Sequence, residues 1–109
     1  MKPWSEKKTE SLNQAPPKGT LMKYNVLIKK KIAKRLWRLP LWVQKKAALL
    51  VRDLEEKGPE QPKWQNYSKL SETEYHCHLG TSWAACWQHR KNTLTIEVYY
   101  VGSREKAPY

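Results

Sequence analysis

From Lys23 to Lys29 apolar and polar positions alternate, with Tyr24, Val26 and Ile28 on one side and Asn25, Leu27 and Lys29 on the other. A period of two is the period of a strand, so this is the first predicted strand. At Lys30 the period changes. Ile32, Leu36 and Leu39 recur at helical spacing and Ala33 and Trp37 widen the stripe, while Lys30, Lys31, Lys34, Arg35 and Arg38 take the other face. Pro40 disfavours helical geometry in the residue before it, so this basic amphipathic helix ends near Leu39.

Pro40 then suits the first turn of a second helix. Val43, Ala47, Leu50 and Leu54 form its stripe, and Gly58-Pro59 supplies its stop. The tight link predicts an antiparallel helical hairpin. Residues 59 to 68 have no period and read as an irregular connection leading through Ser68 to Glu74. Alternation returns at Tyr75 to Leu79, with Tyr75, Cys77 and Leu79 on one face and His76 and His78 together on the other. Trp83 to His89 and Thr93 to Val101 follow after the short breaks Gly80-Thr81-Ser82 and Arg90-Lys91-Asn92, which predicts an antiparallel meander. The order strand, helix, helix, strand, strand, strand gives an α+β fold: a four-stranded, largely antiparallel sheet with the helical hairpin on one face. The other face, with His76 and His78, is expected to be open. The last strand runs out through Gly102 and brings Arg104, Lys106 and Tyr109 to the end of the sheet.

Composition adds the partner. The formal charge is +11, and residues 21 to 59 hold 11 basic against 3 acidic side chains, so the excess lies on the helices. A polyanion is the first partner to consider, against the plainer reading of a solvated helix face. Residues 1–21 mix charge and Pro16-Pro17 with little apolar content and read as a flexible tail, leaving residues 22–109 as one small domain; Met22 could equally open the folded unit. The two cysteines, Cys77 and Cys86, have no framework spacing, and no apolar run approaches a membrane span or a signal peptide's core. A reducing cytoplasm fits. Six Trp and six Tyr without Phe favour rings that keep a polar edge available.

The order of elements, together with Tyr75 to Leu79, Ser82-Trp83 through Trp87, and Tyr99-Tyr100-Val101-Gly102-Ser103-Arg104-Glu105 with Tyr109, resembles the RelE/ParE superfamily of bacterial toxin–antitoxin toxins. The resemblance spans Met22 to Tyr109 in order of elements, and its specific motifs lie in the last third of the chain. It is nearer to RelE-like translational repressors than to the gyrase-directed ParE branch. It implies a metal-independent mRNA endoribonuclease acting at the ribosome, needing no cofactor and neutralised by an antitoxin protein. By the same resemblance two basic residues of the second strand become His76 and His78, the arginine after the last strand is Arg104 and the terminal tyrosine is Tyr109. One position departs: Ala84 stands where the pattern has an arginine.

The residues suit that chemistry. RNA cuts itself when its 2′-hydroxyl is deprotonated, aligned on the adjacent phosphate, and the phosphorane is relieved of charge. Imidazoles with pKa near 6.5 suit both proton transfers, and an arginine fork suits the phosphate oxygens. Tyr109 is expected to stack on a base or donate to the leaving 5′-oxygen, and Trp83 to stack on a base or to lie half-buried in the core. Lys30, Lys31, Lys34, Arg35, Arg38 and Lys106 would track a phosphate backbone. Glu97 could orient a histidine or be an ordinary solvated strand position. Two other readings compete: a non-catalytic module binding nucleic acid or gyrase, favoured by Ala84, and a metal-dependent hydrolase using His76, His78 and Cys86, which lacks a clear fourth ligand.

Overall fold

The computed structural model describes residues 23–109. The tail expected over residues 1–21 and the alternative start at Met22 lie outside them. The first strand, β1, spans Asn25–Ile28, and two helices follow it, α1 at Lys30–Leu36 and α2 at Leu41–Lys57. Strands β2 at Ser68–Lys69, β3 at Glu74–His78, β4 at Trp83–His89 and β5 at Thr95–Ser103 come next, and a 3₁₀ turn at Arg104–Lys106 precedes the C-terminus.

The sheet has five strands in the order β1-β5-β4-β3-β2. It is one strand wider than the pattern predicts, because Ser68 and Lys69 of the connection pair antiparallel with His76 and Tyr75. A two-residue polar strand has no alternation to announce it. The meander β3-β4-β5 is antiparallel, whereas β1 lies parallel to β5, with Val26 opposite Ile96 and Ile28 opposite Val98. That crossover carries both helices, as a parallel connection requires.

Both helices bury one stripe on the same face of the sheet. Ile32 and Leu36 of α1, and Val43, Ala47, Leu50, Val51 and Leu54 of α2, join Tyr75, Cys77, Ala85, Trp87, Ile96 and Val98 in one core. Burying side chains of this size contributes roughly 1.5–3 kcal/mol each. Trp37 is exposed and does not widen the stripe of α1, whose last helical residue is Leu36. Pro40 caps α2 rather than entering it, and its carbonyl accepts the N–H groups of Val43 and Gln44. At the other end Gly58 has φ +93° and donates its N–H to the Leu54 carbonyl, so the predicted stop falls where glycine is needed. No helix among the described residues is long and apolar enough to cross a membrane.

Candidate functional site

Alternation along β3 sends Tyr75 and Cys77 into the core and His76 and His78 to the face away from the helices. The register sets Cys86 beside His76 and Ala84 beside His78, with Tyr100 and Gly102 as the next pair on β5. Between Cys86 and Trp87 the register shifts, which leaves Tyr99 as the extra residue of a bulge. Tyr99 bonds the Cys86 side chain, and the Tyr100 hydroxyl donates to the Ser103 carbonyl. The Tyr100 ring lies over Gly102, where a Cβ would come within 2.9 Å of the phenolic oxygen. Those rings and the C-terminal residues cover much of a face expected to be open; Ala84 and Cys86 have no solvent exposure at all.

The 3₁₀ turn starts at Ser103, whose hydroxyl accepts the Glu105 N–H, and directs the chain back across that face. Tyr109 therefore packs against His76, with ring centroids 4.1 Å apart and the planes tilted by 45°, and its hydroxyl lies 3.4 Å from His78 Nε2. The two imidazoles are 5.7 Å apart, edge to face. From the sheet edge Ser68 Oγ reaches His76 Nδ1 at 2.9 Å. His76 is thus only 8 % exposed, whereas His78 is half-buried.

Burial lowers the pKa of both histidines, since a charged ring loses solvation there; a hydrogen bond with the Ser68 backbone opposes this at His76. At His78 the Arg104 guanidinium and the neighbouring His76 lower it further. The Tyr109 phenol moves up, chiefly through burial, with Arg104 pulling the other way. Near neutral pH the site therefore holds two neutral imidazoles and a protonated phenol.

Arg104 is exposed and anchored rather than loose. Its backbone N–H donates to the Ser82 carbonyl at 2.9 Å and its Nη1 to the Thr81 carbonyl at 2.7 Å, which ties the chain's exit to the β3–β4 link. A groove of about 510 Å³ is lined there by Thr81, Ser82, Ser103, Arg104 and Glu105. Among the described residues nothing claims the remaining N–H groups of the fork, which leaves them for an anion.

His76, His78, Arg104 and Tyr109 are thus brought together, and Lys106 stands exposed in the same turn. Lys30, Lys31, Lys34, Arg35 and Arg38 are exposed on or just after α1. Trp83 is not part of it: it shares the helix side with Ala85 and Trp87 and packs half-buried against the core. Glu97 does not orient a histidine, because its carboxylate accepts from Gln88 Nε2 at 3.2 Å and His76 is held by Ser68 instead. Among the described residues no three His, Cys, Asp or Glu side chains converge as a metal site. Burial pushes the Cys86 thiol up to about 12, the wrong direction for a thiolate ligand.

Sequence reasoning missed Ser68, Thr81 and Tyr100. Ser68 gives no signal, lying in a polar dipeptide strand. Tyr99-Tyr100 did carry one: two adjacent aromatics interrupt an alternating strand, as a bulge does.

No protein-family model and no curated protein sequence matches the chain. Solved structures do. The chain superposes on a chain of the archaeal RelE–RelB complex from Pyrococcus horikoshii with a TM-score of 0.64 and 20% identity, over 79% of this chain and 100% of that one. It also superposes on the conserved hypothetical protein HP0892 from Helicobacter pylori with a TM-score of 0.50 and 21% identity, over 75% of this chain and 96% of that one. The chain has a RelE-like fold.

Proposed function

We propose that this chain is the toxin of a toxin–antitoxin pair and represses translation by cleaving mRNA at the ribosome. The observation that carries this reading is the contact of the Tyr109 hydroxyl with His78 Nε2, with Arg104 anchored at the adjoining β3–β4 link, on the face of a RelE-like sheet away from the helices. His78, neutral and half-buried, is the base that takes the 2′-hydroxyl proton. The freed oxygen attacks the adjacent phosphorus, and the N–H groups of Arg104 that Thr81 does not use stabilise the phosphorane. Tyr109, which keeps its phenolic proton, returns a proton toward the leaving 5′-oxygen, giving a 2′,3′-cyclic phosphate and a 5′-hydroxyl. No metal takes part in these steps. His76, under the Tyr109 ring, also holds that ring in place.

Lys106 and the basic residues of α1 add charge for RNA and ribosome. The same surface suits an acidic antitoxin segment, and a RelE–RelB complex among the structural neighbours supports a protein partner of that kind. A toxin acting on mRNA works in the cytoplasm.

Primer extension on cellular transcripts after induction tests the proposal. Cleaved ends within coding sequences are expected, and they disappear with His78→Ala or Arg104→Ala. Growth arrest without such ends refutes cleavage and leaves the alternative that Ala84 favours: a non-catalytic inhibitor that binds nucleic acid or gyrase.

A further inference from the structure

The surface around His78 continues past the edge of the sheet. Strand β2 covers β3 only at Tyr75 and His76, and beyond it the connection takes over, with the His78 N–H donating to the Gln65 carbonyl at 2.8 Å. Between that connection and α2 runs a groove of about 460 Å³ whose lining includes Lys46, Asp53, Lys63, Trp64, Gln65 and His78. His78 belongs to both the site and the groove.

The groove is built around one ring. Trp64 donates its indole N–H to Asp53 Oδ2 at 2.8 Å, and its backbone N–H donates to the Gln61 carbonyl. Gln61 is itself buried, and its side-chain amide donates to the carbonyls of Asp53 and Gly58. The indole is therefore oriented before any ligand arrives, which removes an ordering cost from binding. The Lys46 ammonium lies 5.9 Å from the ring centroid, and Lys63 is exposed one residue before it. The lining also holds one carboxylate, Asp53, whose Oδ2 accepts the indole N–H. A fixed aromatic flanked by ammonium groups accepts a base by stacking and the adjoining phosphates by charge.

We infer that this groove is a subsite for single-stranded RNA, in which the nucleotide beside the scissile phosphodiester stacks its base on Trp64 and sets its phosphates against Lys46 and Lys63. The inference rests on the proposed nuclease reading, since His78 is what places the groove next to the reacting phosphate. A paired strand has no free base face to offer, so duplex RNA is excluded from it. An acidic peptide meets the same lysines, but the continuity of the groove with His78 favours RNA.

The test is fluorescence anisotropy with the full chain and a short single-stranded oligoribonucleotide, 2′-O-methylated throughout so that attack is blocked. Lys46→Ala and Lys63→Ala are each expected to weaken binding several-fold and to flatten its salt dependence, and Trp64→Leu to weaken it about ten-fold. An abasic version of the strand should bind the unmodified chain and Trp64→Leu equally. Unchanged affinity in the two lysine variants, which are surface changes, overturns the subsite even if Trp64→Leu unfolds. So does a failure of the unmodified chain to bind the strand, or a loss seen only with an acidic peptide probe. In each of those cases cleaved ends in cells would leave the nuclease reading standing alone.

Discussion

The phenolic oxygen of Tyr109 lies 3.4 Å from His78 Nε2, although the two residues are 31 positions apart. The contact exists because the 3₁₀ turn at Arg104–Lys106 directs the last residues over the sheet while Arg104 holds the β3–β4 link. Substituting Tyr109→Phe keeps the ring on His76 but removes the hydroxyl. We expect unchanged thermal stability with cleavage slowed about ten-fold or more, against a loss of 10²–10⁴-fold for His78→Ala. Single-turnover cleavage by the purified variants, read with melting curves, checks both.

Both histidines have pKa values lowered by folding. Below the unfolded value of about 6.5 the unfolded chain binds more protons than the native one, so stability falls as pH falls from there toward the folded values and is complete above it. Melting temperature is therefore expected to drop between pH 7 and pH 5, with a shallower drop in His76→Gln, whose side chain does not titrate. A proton titration followed by NMR should place both rings below the value of an exposed histidine.

Ser68 links an edge strand to the imidazole beneath Tyr109. Ser68→Ala is expected to cost about 1 kcal/mol in denaturant unfolding, the worth of one hydrogen bond with a buried partner left wanting. The His76 pKa should stay below the ordinary value, because burial lowers it and the opposing hydrogen bond comes from the Ser68 backbone, which the substitution keeps.

Ala84 sits directly across from His78 and has no exposure. Ala84→Arg restores the cation of the related pattern only on paper. A long charged side chain has no room there, and we expect destabilisation by roughly 1–3 kcal/mol or more, with no gain in toxicity. Calorimetry on the variant measures it.

Gly80 has φ +138°, and a Cβ there would meet the Trp42 ring at 2.8 Å. Gly80→Ala combines backbone strain with that clash, so a loss of about 1–3 kcal/mol is expected. Because the turn connects His78 to Thr81 and Ser82, the loss should come with weakened cleavage, which a denaturant series and a cleavage assay together reveal.

The periods of the chain determined most of the fold. Strict alternation at Tyr75 to Leu79 could put His76 and His78 only on one face together, and the stripes of Ile32-Leu36 and Val43-Leu54 could be buried only against the face opposite. Helix ends at Pro40 and Gly58 followed from what those residues do to backbone geometry. What tertiary structure alone decided are contacts between segments with no common period. Ser68 reached His76 because an edge pairing formed over two residues, and Glu97 turned to Gln88 because the register set them side by side. The return of Tyr109 over His76 depended on a three-residue turn and on the carbonyls of Thr81 and Ser82, none of which leaves a mark on local hydrophobicity. Periodicity records which way a side chain faces within its own element; which distant group it meets is set by the packing of elements against one another.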